Sequence, residues 1–321
     1  MQEWKKLTDE IGPEKVVHVY DPVAEMRGVV VIDCTTLGRG TGGGIRMLPD
    51  ITTNEIVRLA RAMTYKFACL GVPVGGAKSG IWADPTIQGE QRQNLMRAFG
   101  RAVRPLIKAN LSFGADIGTE ASDLAYVYEG AELRWESAGL LTEEKDGEPL
   151  ENHVTGYGVA VAAKAACEFA GIDVNGATVA IEGFGKVGGG VARYITEMGA
   201  RVVAISTING TIYNEDGLDI KRLLEARKTS GDMAVQEYEN AKHLKKEELF
   251  TLPVDILIPG ARPYVIHKGN AGRVKARVIS SIANIPITDE AEEMLFQRKI
   301  HVVPDFISNA GGTVIGIIDF L

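Results

Sequence analysis

Between Ile51 and Leu70 the apolar residues Ile56, Leu59, Ala60, Met63, Phe67 and Leu70 recur at three- and four-residue spacing. That spacing predicts a helix with one buried stripe. At about 100° per residue, Lys66 falls about 20° outside the stripe, beside Leu59, on the rim of the buried face. A second helix is expected over Asn94–Leu106, with Leu95, Phe99, Ala102, Val103 and Leu106 on one side. A third is expected over Gly156–Ala170, with Val159, Ala162, Ala163, Ala166 and Phe169 inward. The run GVVVIDCTTL from Gly28 reads instead as a β-branched strand that enters a loop, TGGGIR. From Thr178 a short apolar strand leads into Gly183, Gly185 and Gly188, then a helix and a second strand at Arg201–Ile205. Further strands are expected at Val254–Ile258, Ala276–Ile282 and His301–Val303, separated by helices. This alternation predicts an open, mainly parallel sheet.

The polar stretch LLTEEKDGEPLENHVTG after Gly139 reads as a connection between domains. A chain of 321 residues has room for two. Its 45% hydrophobic and 24% charged residues match a soluble globular enzyme and not a disordered chain. A formal charge of −7, with no block of Lys and Arg, argues against nucleic-acid binding. Cys34, Cys69 and Cys167 are few, odd in number and widely spaced, which suggests reduced thiols in the cytoplasm. The five histidines show no metal-ligand spacing, so no metal is expected. The start, MQEWKKLTDEIG, lacks an apolar signal core, and no apolar run nears the ~20 residues of a membrane helix.

The candidate chemistry lies in TYKFACLGVPVGGAKSGIWADP, where Lys66 and Lys78 stand twelve positions apart, and in FGADIGTE, which carries Asp116. Gly75-Gly76 reads as a turn that lets the backbone approach a ligand. One lysine in such a setting can hold a carboxylate as a fixed cation. The other, its pKa lowered by burial and a neighbouring positive charge, can serve as a general base. A strand, G-x-G-x-x-G and helix in that order make a dinucleotide site, with the pyrophosphate on the helix N-terminus.

Six segments resemble, in order, the glutamate/leucine/phenylalanine/valine dehydrogenase family of NAD(P)-dependent amino acid dehydrogenases. They are TTLGRGTGGGIRM (Thr35–Met47), LGVPVGGAKSGIWADP (Leu70–Pro85), GADIGT (Gly114–Thr119), VTGYGV (Val154–Val159), IEGFGKVG (Ile181–Gly188) and VVPDFISNAGG (Val302–Gly312). The resemblance implies an α/β fold of two domains. An N-terminal α/β catalytic and oligomerisation domain would span 1–142 and a Rossmann-type, doubly wound dinucleotide-binding domain 143–305. Residues 306–321 would return to the catalytic cleft, where the family normally continues with more helices. It also implies reversible oxidative deamination of an L-amino acid to a 2-oxo acid and ammonium, by a homo-oligomer, hexameric or octameric. Carried over by motif, Lys66 would bind the substrate α-carboxylate, Lys78 would activate the attacking water, and Asp116 would move protons to and from the substrate nitrogen.

The same resemblance assigns the cofactor to Gly183, Phe184, Gly185, Lys186, Val187 and Gly188, with Ser206 and Thr207 at the end of the second strand. Thr155 would lie near the nicotinamide and Asn284 beside its ribose. Asn309 would begin the last cleft-lining helix. Thr155 also reads as an N-cap before Gly156, and Asn309 as a cap. The acid expected about 20 residues after the glycine loop is missing. NAD and NADP both stay open, with NAD favoured. The run GARPYVI (Gly260–Ile266) is also less polar than its family counterpart.

Glutamate-specific members carry a lysine and a serine where this chain has Gly42 and Gly316. With Gly43, Gly114 and Thr313, these glycines suggest a roomy, uncharged pocket, because an unpaired buried γ-carboxylate costs several kcal/mol. A neutral branched-chain or aromatic substrate is therefore expected. The alternative is glutamate, with Arg39 as a substitute cation. An alternative of another class is a non-catalytic ligand-binding paralogue, although the joint presence of Lys66, Lys78 and Asp116 speaks against it.

Overall fold

The computed structural model describes residues 8–38, 40–135, 144–145 and 148–320. By its internal contacts the chain divides into two units. One comprises residues up to Thr142 together with Gly316 onward; the other is Glu143–Ile315.

In the first unit, β1 (Lys15–Asp21) and β2 (Met26–Ile32) pair antiparallel, and β2 pairs antiparallel with β4 (Gly75–Ile81). Beyond β4, β3 (Thr41–Met47) and β5 (Leu111–Ala115) run parallel, completing the order β1-β2-β4-β3-β5. The helices are α1 (Thr53–Cys69), α2 (Gly89–Lys108) and α3 (Ala121–Gly130). Thr52 caps α1 by accepting from the Glu55 N–H. Lys66, expected at the rim of the buried face, is only 6% exposed.

Two expectations are corrected here. TGGGIRM is strand β3, not a loop, and the presumed turn at Gly75-Gly76 is the start of β4, all seven residues of which are buried. Packing demands the glycines. A Cβ on Gly76 would lie 2.2 Å from the Thr64 nitrogen of α1, and one on Gly43 would lie 1.7 Å from the Ala77 carbonyl oxygen. The strand from Gly28 also stops at Ile32. Asp33 is buried beyond it and accepts from Thr64 Oγ1 at 2.6 Å and Arg61 Nε at 2.8 Å.

The second unit opens with the two short strands β6 (Glu144–Lys145) and β7 (Glu148–Pro149) and helix α4 (Leu150–Phe169). The helix starts ahead of the expected Gly156, so Thr155 is inside it and is not its N-cap. Tertiary bonds hold this first part: His153 is buried, with Nδ1 2.9 Å from the Tyr194 hydroxyl and Nε2 2.7 Å from the Lys145 carbonyl oxygen. The strands that follow are β8 (Thr178–Glu182), β9 (Arg201–Thr207), β10 (Gly210–Tyr213), β11 (Lys242–Leu244), β12 (Ile256–Ile258), β13 (Val278–Ile279) and β14 (His301–Val302). They form one sheet of order β11-β10-β9-β8-β12-β13-β14. All pairs from β9 to β14 are parallel, while β10 pairs antiparallel with both β9 and β11. The helices are α5 (Lys186–Glu197), α6 (Ile220–Ser230), α7 (Met233–Gln236), α8 (Lys268–Ala271), α9 (Asp289–Gln297), α10 (Asp305–Ser308) and α11 (Gly311–Phe320). The α/β, doubly wound architecture is as expected. The division by internal contacts groups Gly316 onward with the first unit, while Asp305, Ser308 and Asn309 bond to residues 281–285 of the second.

Candidate active site

Neighbouring elements of the first unit bring four charged side chains into one cluster, with Arg46 and Lys78 buried and Glu55 and Asp116 partly exposed. Arg46 comes from β3, Lys78 from β4, Glu55 from the first turn of α1, and Asp116 directly follows β5. The Asp116 carboxylate accepts from Arg46 Nε at 2.9 Å and lies 3.0 Å from Lys78 Nζ. Arg46 Nη1 donates to Glu55 at 2.6 Å. Arg46 is 1% and Lys78 5% exposed, so both cations are held almost out of water. Gly44 leaves the space they need: a Cβ there would sit 2.9 Å from the Asp116 Cβ and 3.2 Å from Lys78 Nζ.

The electrostatics follow from this crowding. Burial lowers the Lys78 pKa; Asp116 opposes that and Arg46 adds to it, leaving the amine below the ordinary lysine value. Burial alone would raise the Asp116 carboxyl. Lys78 and Arg46 more than offset it and hold the group far below the usual carboxylate range. For Arg46, Asp116 and Glu55 outweigh burial and strengthen its hold on the proton. The arrangement is a fixed cation, a carboxylate held towards its ionised form and an amine whose charged form is disfavoured.

Arg46 was missed by sequence reasoning, which used it only as part of GGGIR. A charged residue inside a glycine-rich β run was the available signal. Lys66 occupies the last turn of α1. Gly42 is buried, and a Cβ on it would meet Ser112 Oγ at 3.0 Å, Phe67 at 3.5 Å and Val74 at 3.7 Å. A Cβ on Gly114 would meet nothing within 4 Å. Gly43 has no such freedom, so its role is in the backbone. Arg39 lies outside the described residues. Thr313 and Gly316 are on α11.

In the second unit the glycine loop sits where β8 gives way to α5. Strands β9 and β12 flank β8 on opposite sides, so the sheet order reverses here, and ligands of such sheets bind outside the carboxyl ends of the strands at this point. Gly183 has φ +85°, and a Cβ on Gly188 would lie 2.0 Å from the Gly183 carbonyl oxygen. Gly185, the N-cap of α5, has open space where its Cβ would be. That is the cradle a pyrophosphate needs. Among the described residues of this unit three buried polar atoms, Ser206 Oγ, Ser281 Oγ and Asn309 Oδ1, have no hydrogen-bond partner. These residues fit a dinucleotide.

Not every carried-over residue offers its side chain. Phe184 is 2% exposed and belongs to the core, and Val187 packs against the same cluster, so only their backbones are available. Lys186 is exposed at the start of α5. The Thr207 hydroxyl is already engaged, accepting from the Asn209 N–H at 3.3 Å and donating to the Asp232 carbonyl at 3.4 Å. Asn309 does not begin a helix but caps the end of α10, its amide nitrogen donating to the Ile282 and Ala283 carbonyls. Asn284 lies in the loop after β13. Glu182, unremarked in the sequence, ends β8 buried and accepts from the Gly260 and Ala261 N–H groups, both at 3.2 Å. Burial pushes its carboxyl up.

Comparison with known proteins agrees with this geometry. Residues 147–320 match the model of the Glutamate/Leucine/Phenylalanine/Valine dehydrogenase family, and residues 13–132 match its dimerisation domain. A glutamate dehydrogenase of Thermotoga maritima is 38% identical over 291 residues, covering 87% of this chain and 68% of its own length. An NADP-specific glutamate dehydrogenase of Saccharolobus shibatae is 36% identical over 280 residues, covering 85% of this chain and 66% of its own. The hetero-hexameric glutamate dehydrogenase of Thermus thermophilus, solved in a leucine-bound form, superposes with a TM-score of 0.80 at 26% identity, over 96% of this chain and 76% of that one. The L-tryptophan dehydrogenase of Nostoc punctiforme superposes with a TM-score of 0.64, also at 26% identity, over 98% and 82%. With both family models matched across its two units, the chain belongs to the Glu/Leu/Phe/Val dehydrogenase family and is an NAD(P)-dependent amino acid dehydrogenase.

Proposed function

We propose that the protein catalyses the reversible oxidative deamination of L-glutamate to its 2-oxo acid and ammonium, with the chemistry centred on Lys78 and Asp116. The observation that carries the catalytic reading is the buried contact of Lys78 Nζ with Asp116 at 3.0 Å, flanked by Arg46. Lys66 binds the substrate α-carboxylate. Hydride can leave Cα only from a neutral amine, so the substrate ammonium first gives up a proton, which Asp116 relays. Bound NAD(P)+ supplies the hydride acceptor. The resulting iminium is cationic, and Asp116, again a carboxylate once it has passed that proton on, stabilises it. Lys78, in the neutral form that burial and Arg46 favour against the pull of Asp116, then takes a proton from the water that attacks the iminium carbon. Asp116 returns a proton to the substrate nitrogen, which leaves as ammonia while the new hydroxyl gives up its proton to become the carbonyl of the 2-oxo acid.

Relatives named glutamate dehydrogenase, 32–38% identical to this chain, favour glutamate over the neutral substrate expected from the glycines. The neutral side chain stays as a second reading because of the surroundings of Gly42, where Phe67, Val74 and Ser112 offer no charge. A spectrophotometric screen of NADH and NADPH formation across the twenty L-amino acids separates the two. Glutamate is expected to show the highest kcat/KM; a higher value for leucine or phenylalanine would reverse the choice. NAD and NADP are both proposed as cofactors, because β9 ends without a carboxylate to repel a 2′-phosphate. We further propose a homo-oligomer in the cytoplasm, consistent with the matched dimerisation domain and three free cysteines.

Lys66→Ala is expected to raise KM for the amino acid strongly with a smaller change in kcat, because a carboxylate clamp acts in ground and transition states alike. A fall in kcat alone would show that the two lysines have each other's roles.

A further inference from the structure

We infer that Asp305 is a positioning residue for the cofactor, fixing the backbone that carries Asn284. The inference rests on the reading of Asn284 as part of the nicotinamide-ribose site. Ile285, the next residue, has φ +52°. A β-branched side chain is a poor occupant of this left-handed region, and the position is worse still because Pro286 follows. Such a conformation persists only where the surroundings over-determine it.

Asp305 supplies the strongest part of that hold. Its Oδ2 accepts from the Ile285 N–H at 2.7 Å, a charge-assisted bond. The remaining bonds fasten the loop on both sides of Asn284. Ser308 Oγ donates to the Ser281 carbonyl at 2.6 Å, and Asn309 Nδ2 donates to the Ile282 and Ala283 carbonyls at 3.1 and 3.2 Å. The N–H groups of Ile282 and Ala283 both donate to the Pro259 carbonyl. Beyond Asn284, the Ile285 carbonyl accepts from the N–H of Tyr264, itself at φ +59°. Three side chains of DFISN thus grip the loop, and Asp305 is the only ionised one. The four-residue α10 that it opens explains a first-turn acid, but not a carboxylate aimed at a strained residue of another loop.

The test is binding, measured by nucleotide fluorescence or calorimetry, of NADH and of ADP-ribose, which lacks the nicotinamide. Asp305→Ala should weaken NADH about tenfold, the loss of one bond to a charged group, and leave ADP-ribose unchanged. Asp305→Asn, which keeps an oxygen acceptor, should recover most of the loss. Should the alanine variant not fold, the asparagine variant is expected to show a few-fold loss confined to NADH. Asn284→Ala should also weaken NADH, and the double variant Asp305→Ala/Asn284→Ala should bind no more weakly than Asn284→Ala alone. Wild-type NADH affinity in Asp305→Ala, an equal loss for ADP-ribose, or additive losses in the double variant would overturn the inference and leave the deaminase reading intact. Wild-type NADH affinity in Asn284→Ala would overturn both the inference and the reading of Asn284 on which it rests.

Discussion

Lys78→Ala is expected to lower kcat by about 10²–10⁴-fold, the usual cost of removing one positioned proton-transfer group. The fold should survive. Asp116 keeps its bond to Arg46 Nε at 2.9 Å, so the deletion leaves no carboxylate stranded. The residue removed is a lysine whose charge burial already disfavours, and truncating it relieves that penalty while losing some packing. Affinity for NAD(P)H should hardly change, since the glycine loop belongs to the other unit. In the wild type, kcat/KM should rise with pH as Lys78 loses its proton, at a pH below the ordinary lysine value. In Lys78→Ala that rise should vanish. Steady-state rates across pH, with nucleotide binding as the control, check both statements. A wild-type kcat in the variant would remove Lys78 from the mechanism.

The parts of this protein that were legible from sequence are those where local periodicity and tertiary packing agree. The α1 stripe from Ile56 to Phe67 is one, and the strand, glycine loop and helix from Thr178 to Glu197 are another. The first unit's sheet was not legible. Glycine ordinarily punctuates turns, yet Gly43, Gly44, Gly75 and Gly76 lie in central strands, each required by an atom that belongs to a distant part of the chain. The start of α4 failed for a related reason, because His153 gains its partners only once Tyr194 and Lys145 are in place. Lys78 and Asp116, which the fold brings to 3.0 Å of each other, stand out by residue type and motif. Arg46 does not, since its importance lies in two carboxylates, Asp116 and Glu55, brought to it by separate elements.

That ion network makes Arg46→Gln the second large effect. Breaking a buried pair from one side typically costs about 3–5 kcal/mol, because the partner is left with an uncompensated buried charge. Here Asp116 retains Lys78, and Glu55 is partly solvated at 18% exposure, so the lower end is expected. The sign of its pH dependence is fixed by Asp116. In the wild type this carboxyl is depressed in the folded state, so the stability it contributes is full above its unfolded pKa of about 4. It is lost only as pH falls through the lower folded value. The stability gap between wild type and Arg46→Gln should therefore be widest above about pH 4 and close in more acidic solution. Catalysis should move in the opposite sense. Arg46 disfavours the charged form of Lys78 and draws on the same carboxylate, so its removal raises the Lys78 pKa and shifts the rising limb of kcat/KM to higher pH. Arg46→Lys, which keeps the charge, should leave the limb near its wild-type position even if stability falls. Urea unfolding at several pH values and a pH–rate profile of the three proteins measure these separately. A limb that stays in place in Arg46→Gln would show that Arg46 holds the fold of the site without tuning its base.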